Sequence, residues 1–419
     1  MSSSAERLGA GASAPAVLRA LARRAERSGI APPAALTGSW FGSRAVLAPS
    51  LGVGPVDARV ALSTTWRQSG REPLQGKGFV GGGWFLGIRY PEVPSDTPAI
   101  PDVHGALDIT GAWADSVLRL DDQSCWWFES LTGQPCPPDL RDAVRFGDAA
   151  HHWAIDWTPP DRTAHLAAIR ACLAAITAGE VYQTCVCTRF IGEFRGSPVD
   201  LFADGIEATT PERGAFLGGV ASFSPELFLS RHGDEVRSSP IKGTLPRSAN
   251  PALLLQSEKE VAENIMIVDL VRNDLGRVCR PGSVTVPELL QVRPAPGVWH
   301  LVSTVSGHTD VSDLDVVTAI FPPGSVTGAP KSSACRYIRQ WESAPRGAYC
   351  GAVGLASPAG LELNVAIRTV EVTGSRAVLG VGGGITIDSD PEAEWQECLT
   401  KARAVTSLTP SAKVPTFVG

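Results

Sequence analysis

No Cys-x-x-Cys pair occurs in the 419 residues, so the nine cysteines offer no zinc-binding spacing. Their odd number and scattered positions (Cys125, Cys136, Cys172, Cys185, Cys187, Cys279, Cys335, Cys350 and Cys398) fit reduced thiols in a cytoplasmic enzyme. Cys185 and Cys187 share a face if their segment is a strand, and packing explains such a pair without a metal. A basic excess is also missing. With 37 Lys and Arg against 43 Asp and Glu the formal net charge is -6, which argues against nucleic acid as the main partner. A local basic pocket for a small anion is compatible with that balance. No apolar run reaches the length of a membrane span, so no membrane partner is expected. There is no internal repeat and no long low-complexity tract.

The composition, 43% hydrophobic and 19% charged, is that of a soluble globular protein. The length suits two domains or one large α/β unit. The Arg- and Ala-rich start carries Glu6 and Glu26, which weakens any likeness to a transit peptide; a surface helix near residues 14–28 is expected. To about residue 155 the chain is rich in Gly, Pro and Trp. Gly81, Gly82 and Gly83 predict a turn before a buried aromatic strand. "SVLRLDDQSCWWFESL" predicts two strands about a turn at Asp121 and Asp122. The prolines of "DWTPPDR" mark a break before a new helix.

Beyond that break, "RTAHLAAIRACLAAITAGE" reads as a helix ending near Gly179, and "VYQTCVCTRFIGEF" as a strand. "GAFLGGVASFSPELFLSRHGDEVRSSPIKGT" reads as three strands, and "SEKEVAENIMIVDLVRNDLGRV" as a helix ending at Gly276. Strands follow at "VWHLVSTVSG", 349–356, 362–371 and 377–381. A last helix opens at "SDPEAEWQECLTKARAV", with Ser389 and Glu392 as a capping box and Pro391 in its first turn.

Two of these helices carry acids that need explaining. Glu263 shares a face with Met266, Ile267 and Leu270, where an unpaired carboxylate is expensive. Glu394 and Glu397 stand one turn apart and repel unless a positive charge lies between them. A hard divalent cation such as Mg²⁺ satisfies both observations. So does pairing of Glu263 with a Lys or Arg, and of Glu397 with Lys401 at i+4. Two glycine-rich stretches fail the nucleotide-binding patterns: "GVGGGI" has Ile385 where a last glycine belongs, and in "FPPGSVTGAPKSS" Lys331 does not follow a glycine. Each is either a plain tight turn or a set of backbone N–H groups facing an anion. Finally, "SSPIKGTLPR" puts Lys242 in a tight, proline-flanked turn, with its direction fixed by Pro240 and Gly243. A solvated loop lysine is one reading of it.

Five stretches taken in order, "SPIKGTLPR", "AENIMIVDLVRNDLGRV", "FPPGSVTGAPK", "RGAYCGAVG" and "GVGGGITIDSDPEAEWQE", resemble the chorismate-utilising enzymes. That family includes anthranilate, aminodeoxychorismate, isochorismate and salicylate synthases. The resemblance covers roughly residues 160–407; the first 150 match loosely. It implies an α/β (α+β) fold, one large unit with two packed β-sheets flanked by helices. Within it we distinguish an N-terminal subdomain of the same unit (1–155), a chorismate-binding catalytic region (156–410) and a C-terminal tail (411–419).

The resemblance also implies chorismate as substrate and Mg²⁺ as cofactor. It makes Glu263 and Glu397 Mg²⁺ ligands, with Glu394 close by through water, and the cation would withdraw electron density from the ring. It makes Glu226, in "SPELF", the general acid that protonates the departing C4 hydroxyl, a role that needs a proton held near neutral pH. Arg368, Tyr349, Gly382, Gly383 and Gly384 would hold the two substrate carboxylates. Thr244, Thr327 and Lys331 would line the same site, with His300 near the ring.

Two positions divide the family. The water-adding members carry a lysine base where this chain has Gln183, which cannot accept a proton from water. Anthranilate synthases have alanine where this chain has Lys242; the aminodeoxychorismate branch has the lysine. The resemblance therefore makes Lys242 a nucleophile on C2 of chorismate, aimed by its turn and needing an unprotonated amine. Ammonia would then enter at C4, leading to 4-aminobenzoate for folate. "AYCGA" lacks the glycine two residues before Cys350 that a glutaminase elbow needs, so ammonia is expected from a separate glutamine amidotransferase subunit. Anthranilate synthesis and a non-catalytic chorismate-binding subunit are the rival readings.

Overall fold

Neighbouring residues along the strands go to different cores, and this builds the architecture. In the strand Gly83–Ile88, Phe85 joins one apolar cluster while Leu86 and Ile88 join another. In Ala352–Ser357, Val353 and Leu355 join the first cluster, and Ala352 and Ala356 the second. A sheet that buries both faces must be covered on both sides. The structure, a computed structural model, describes residues 3–62, 78–91 and 107–410. Among them are two antiparallel sheets packed on each other with helices outside, the mixed α/β architecture that the resemblance implied. The assigned tail, 411–419, lies outside the described residues.

The first sheet has twelve strands. Its order is Ser4–Gly9, Trp126–Ser130, Ser116–Asp121, Ser43–Ala48, Ala34–Trp40, Arg213–Leu217, Val220–Ser224, Thr369–Thr373, Arg376–Ile385, Gln183–Arg195 and Gly328–Ala329; Ala154–Thr158 also pairs with Gln183–Arg195. The second has ten strands, in the order Ile241–Pro246, Val298–His308, Glu235–Ser239, Leu227–His232, Gly360–Val365, Ala352–Ser357, Gly83–Ile88, Ile109–Ala114 and Gly54–Pro55; Thr285–Ala295 also pairs with Val298–His308. Leu36, Val46 and Leu217 from the first sheet meet Phe85, Val353 and Leu355 from the second in the core between them. The helices Ala14–Ser28, Pro198–Thr209 and Pro391–Thr406 cover the outer face of the first sheet. Glu258–Gly276 and Asp313–Ile320 cover the second. Each large apolar side chain so buried contributes about 1.5–3 kcal/mol.

Four local expectations differ from what forms. The segment read as three strands holds five, Arg213–Leu217 to Ile241–Pro246, because each turn leaves only a short run between breaks. Lys242 lies within the strand Ile241–Pro246 and not in a tight turn. The strand expected over 362–371 is two, Gly360–Val365 in the second sheet and Thr369–Thr373 in the first. The chain changes sheets between them, through Arg368 at a φ of 50°. The last helix is capped by Asp390, whose side chain accepts from the Ala393 N–H; Ser389 and Glu392 do not form the expected box. The division near residue 155 falls inside the strand Ala154–Thr158, and the chain before it supplies strands to both sheets. All nine cysteines are free thiols. Among the described residues no helix is long and apolar enough to cross a membrane.

Candidate active site

Lys242 owes its direction to a break in strand pairing. Ile241 pairs with Val302 and Thr244 with His300, so the register shifts across Lys242 and Gly243. Such a bulge re-aims the side chain beside it. Gly243 takes the left-handed φ of 92° that the bulge requires. Asn264 of the 258–276 helix ties down both strands: its amide donates to Lys242 O at 3.5 Å and, on the partner strand Val298–His308, to Leu301 O at 3.1 Å, and its Oδ1 accepts from Ser303 Oγ at 2.5 Å. So held, Lys242 Nζ stands 3.9 Å from Glu263 Oε2. Across from it runs the glycine strand. A Cβ at Gly384 would come within 3.1 Å of Lys242 Nζ and collide with Gln183 Nε2 at 2.1 Å. The absent side chain lets Lys242 and Gln183 approach each other.

The acids converge from two helices. Glu263 and Glu394 are buried at 9% and 4% exposure. Burial pushes the Glu263 carboxyl up, against the pull of Lys242 and Lys259. Glu394 accepts from Ser389 Oγ at 2.7 Å and from Lys259 Nζ at 3.4 Å. Glu397 is half exposed and pairs with Lys401 at 2.7 Å, the i+4 alternative left open above. Desolvation raises its carboxyl, but Lys401 outweighs this and holds it below the usual range. Glu260 is a fourth member that the sequence reading missed. Burial raises its carboxyl too, with Lys242, Lys259 and Glu397 all within electrostatic reach. Its spacing of three from Glu263 was the available signal.

These donors are hard carboxylate oxygens and fit Mg²⁺ in type. Among the described residues no three His, Cys, Asp or Glu side chains are gathered closely enough to hold a metal, and lysine ammoniums occupy the spaces between the carboxylates. Gly382 and Gly383 adjoin this cluster. Lys401 donates to Gly382 O at 3.2 Å, and a Cβ at Gly383 would sit 3.0 Å from Glu394 Oε2.

On the other side stands Glu226, 4% exposed. Burial pushes its carboxyl up to about 7, although the Ser325 hydroxyl (2.6 Å), Lys242 and Arg368 favour the ionised form. Arg368 is half-buried, and among the described residues no carboxylate pairs with it. His300 Nδ1 meets Thr244 Oγ1 at 2.9 Å. Its other ring nitrogen is buried without a partner, as is Gln183 Oε1. Burial, aided by Arg368, pushes the imidazole down to about 4, so His300 is neutral near pH 7. An unpaired guanidinium and two orphaned buried polar atoms are what an absent polar, anionic ligand leaves behind.

Three expected lining residues point elsewhere. Lys331 Nζ donates to Asp274 at 2.5 Å and to Ile320 O at 2.8 Å, so its charge is used behind the site. Thr327 donates its hydroxyl to Pro323 O and Gly324 O. Tyr349 packs under Gly380, with its phenol facing Cys187 Sγ at 3.9 Å.

A family model described as chorismate binding enzyme matches residues 147–407. The chain is 40% identical over 358 residues to aminodeoxychorismate synthase component 1 of Escherichia coli (strain K12), which covers 80% of this chain and 77% of that protein. It is 35% identical over 356 residues to the protein of the same name from Salmonella typhimurium (strain LT2), covering 80% and 76%. The crystal structure of anthranilate synthase component I from Streptococcus pneumoniae TIGR4 matches with a TM-score of 0.67 at 26% identity, covering 82% of this chain and 84% of that one. A match across well over half of the sequence, with such identity over most of two relatives, makes this chain a member of the chorismate binding enzyme family.

Proposed function

We propose that this chain aminates chorismate at C4, giving 4-amino-4-deoxychorismate, with Lys242 as a covalent nucleophile. The observation that carries the reading is the directed Lys242 within electrostatic reach of Glu226, an acid whose proton is kept near neutral pH by burial. In the first step Lys242 Nζ bonds to C2, the two ring double bonds each move one position, to C1=C6 and C4=C5, and the C4–O bond breaks; the second step moves them back. Glu226 gives its proton to the departing hydroxyl, which leaves as water. In the second step ammonia bonds to C4 and the C2–N bond breaks, releasing Lys242 as an amine. The new C4 ammonium returns one proton to the Glu226 carboxylate.

Arg368 and the backbone along Gly382–Gly384 are suited to the substrate carboxylates, and neutral His300 offers its free ring nitrogen. Glu263 and Glu397, with Glu394 close by through water, would hold Mg²⁺, which would supply a Lewis acid for the substrate. "Component 1" in the relatives' names supports a separate subunit as ammonia source, and we assign that role to a glutamine amidotransferase. With free thiols and no membrane-crossing helix among its described residues, we place the protein in the cytoplasm, supplying 4-aminobenzoate for folate.

Similarity to an anthranilate synthase favours one rival, amination at C2 with release of pyruvate. Purified protein with chorismate, Mg²⁺ and ammonium at mildly alkaline pH separates the two, read by mass spectrometry and a pyruvate assay. A 4-amino product that keeps its enolpyruvyl group is expected. Anthranilate plus pyruvate would overturn the reading. Lys242→Ala should fold, keep its melting temperature within a few degrees, and lose amination.

A further inference from the structure

Lysine is rare in this chain. Of 37 Lys and Arg residues only six are lysine: Lys77, Lys242, Lys259, Lys331, Lys401 and Lys413. The four within the described residues all lie within ion-pair distance of carboxylates at or behind the site. Elsewhere, apart from His232 with Glu362 and His308 with Asp234, the pairs are made by arginine, as in Arg280 with Asp310, Arg195 with Asp156 and Arg23 with Asp200. Where a guanidinium serves, this chain has one. A lysine differs by carrying a compact point charge on a flexible stem, with no planar fork to lock two carboxylates in place.

Lys242 and Lys331 have roles above, and Lys401 neutralises Glu397 on its own helix. Lys259 is left. Its Nζ lies 3.4 Å from Glu394 Oε1 and 4.0 Å from Glu263 Oε1, so it bridges the 258–276 and 391–406 helices. Its side chain is 42% exposed, against 11% and 5% for the two glutamates. The carboxylates are fixed, and the ammonium has solvent at its back.

We propose that Lys259 is the resting counter-ion of the carboxylate cluster, and that it swings into solvent when a divalent cation takes its place between Glu263 and Glu394. The inference rests on reading those glutamates as cation ligands. A Mg²⁺-sized ion needs its oxygens at about 2.0–2.1 Å, which leaves no room for an ammonium bridging the same pair. Lysine releases them readily, because its ammonium already faces solvent and holds the two carboxylates only by long single contacts of 3.4 and 4.0 Å, with no bidentate fork. An arginine would hold both and resist exchange.

The test uses Mn²⁺, read by loss of the free-ion EPR signal, on the wild type, Lys259→Met and Lys259→Arg. Amine acetylation mapped by mass spectrometry, with and without Mn²⁺, follows Lys259 directly; Lys331 is the internal reference. Lys259→Met should bind Mn²⁺ roughly two- to fivefold more tightly and melt at a lower temperature without metal. Lys259→Arg should bind more weakly than the wild type, whereas a simple charge effect leaves it unchanged. Lys259 acetylation should rise with Mn²⁺ while that of Lys331 stays constant. Mn²⁺ bound with unchanged Lys259 labelling, or with Lys259→Met binding more weakly, overturns the displacement alone. No Mn²⁺ bound by any form overturns the ligand reading with it.

Discussion

Glu226 shows how one residue's burial can set both chemistry and stability. In the unfolded chain its carboxyl titrates near 4.5; in the fold it titrates near 7. Below pH 4.5 it is protonated in both states and costs nothing. Between 4.5 and 7 only the unfolded chain ionises, so stability falls as pH rises, by up to about 3 kcal/mol, and then levels off. Glu226→Gln lacks this titration. Its melting temperature should gain on the wild type from pH 4.5 to 7, while kcat falls at least about 100-fold. Parallel melting curves across that window would show the carboxyl to be ordinary. The motif "SPELF" made this residue legible, yet its proton comes from packing that no motif displays. Lys331 is the converse. Its identity was plain, but its direction depends on Asp274, 57 residues away, and sequence spacing cannot reveal which acid a long side chain will reach.

At the scale of elements, type was easier to read than pairing. The helices 162–177 and 258–276 fall where apolar spacing put them, because their periodicity is local. Pro240 and Gly243 were read as a tight turn and are a bulged strand. Both residues do signal a departure from a regular ladder, but the partner strand Val298–His308 lies some 55 residues on and is invisible locally. The last helix start slipped by one position for a related reason. Ser389 and Asp390 are both capping residue types, and Ser389 is taken by Glu394. The bulge invites a direct test. Gly243→Ala must hold a left-handed φ with its Cβ 3.1 Å from Glu260 Oε2 and 3.2 Å from Leu301 Cβ. A loss of about 1–2 kcal/mol in urea unfolding is expected. Amination should fall further than that loss of folded protein explains, because Lys242 is re-aimed. Full activity in a stably folded variant would mean the bulge does not aim Lys242.

For the whole molecule, the two sheets are clasped as well as packed. Glu362, on the second sheet, accepts from the Phe41 N–H at 3.1 Å and from Arg213 at 2.6 Å, both borne by the first sheet's segments. It also faces His232 Nε2 at 3.1 Å, whose other ring nitrogen is occupied by Ala359 O. Acceptors on both sides favour the protonated imidazole, and its titration is raised, chiefly by the hydrogen bond to Glu362. The clasp contribution from His232 is therefore complete below pH 6.5 and is lost as pH rises through the raised value. None of this was legible. The five motifs that carry the resemblance all lie beyond residue 237, and the interleaving of the first 150 residues into both sheets joins positions hundreds of residues apart. Glu362→Ala strands the Arg213 charge between the sheets and should cost about 3–5 kcal/mol. Because strands from before residue 155 are built into both sheets, unfolding should stay a single transition by tryptophan fluorescence and by circular dichroism, with both midpoints shifted equally. The shift should also shrink as pH rises above 6.5, since the wild type loses its His232 contribution there and the variant has none to lose. Two separated transitions would mean that the N-terminal strands form a unit of their own, and a midpoint shift independent of pH would remove His232 from the clasp.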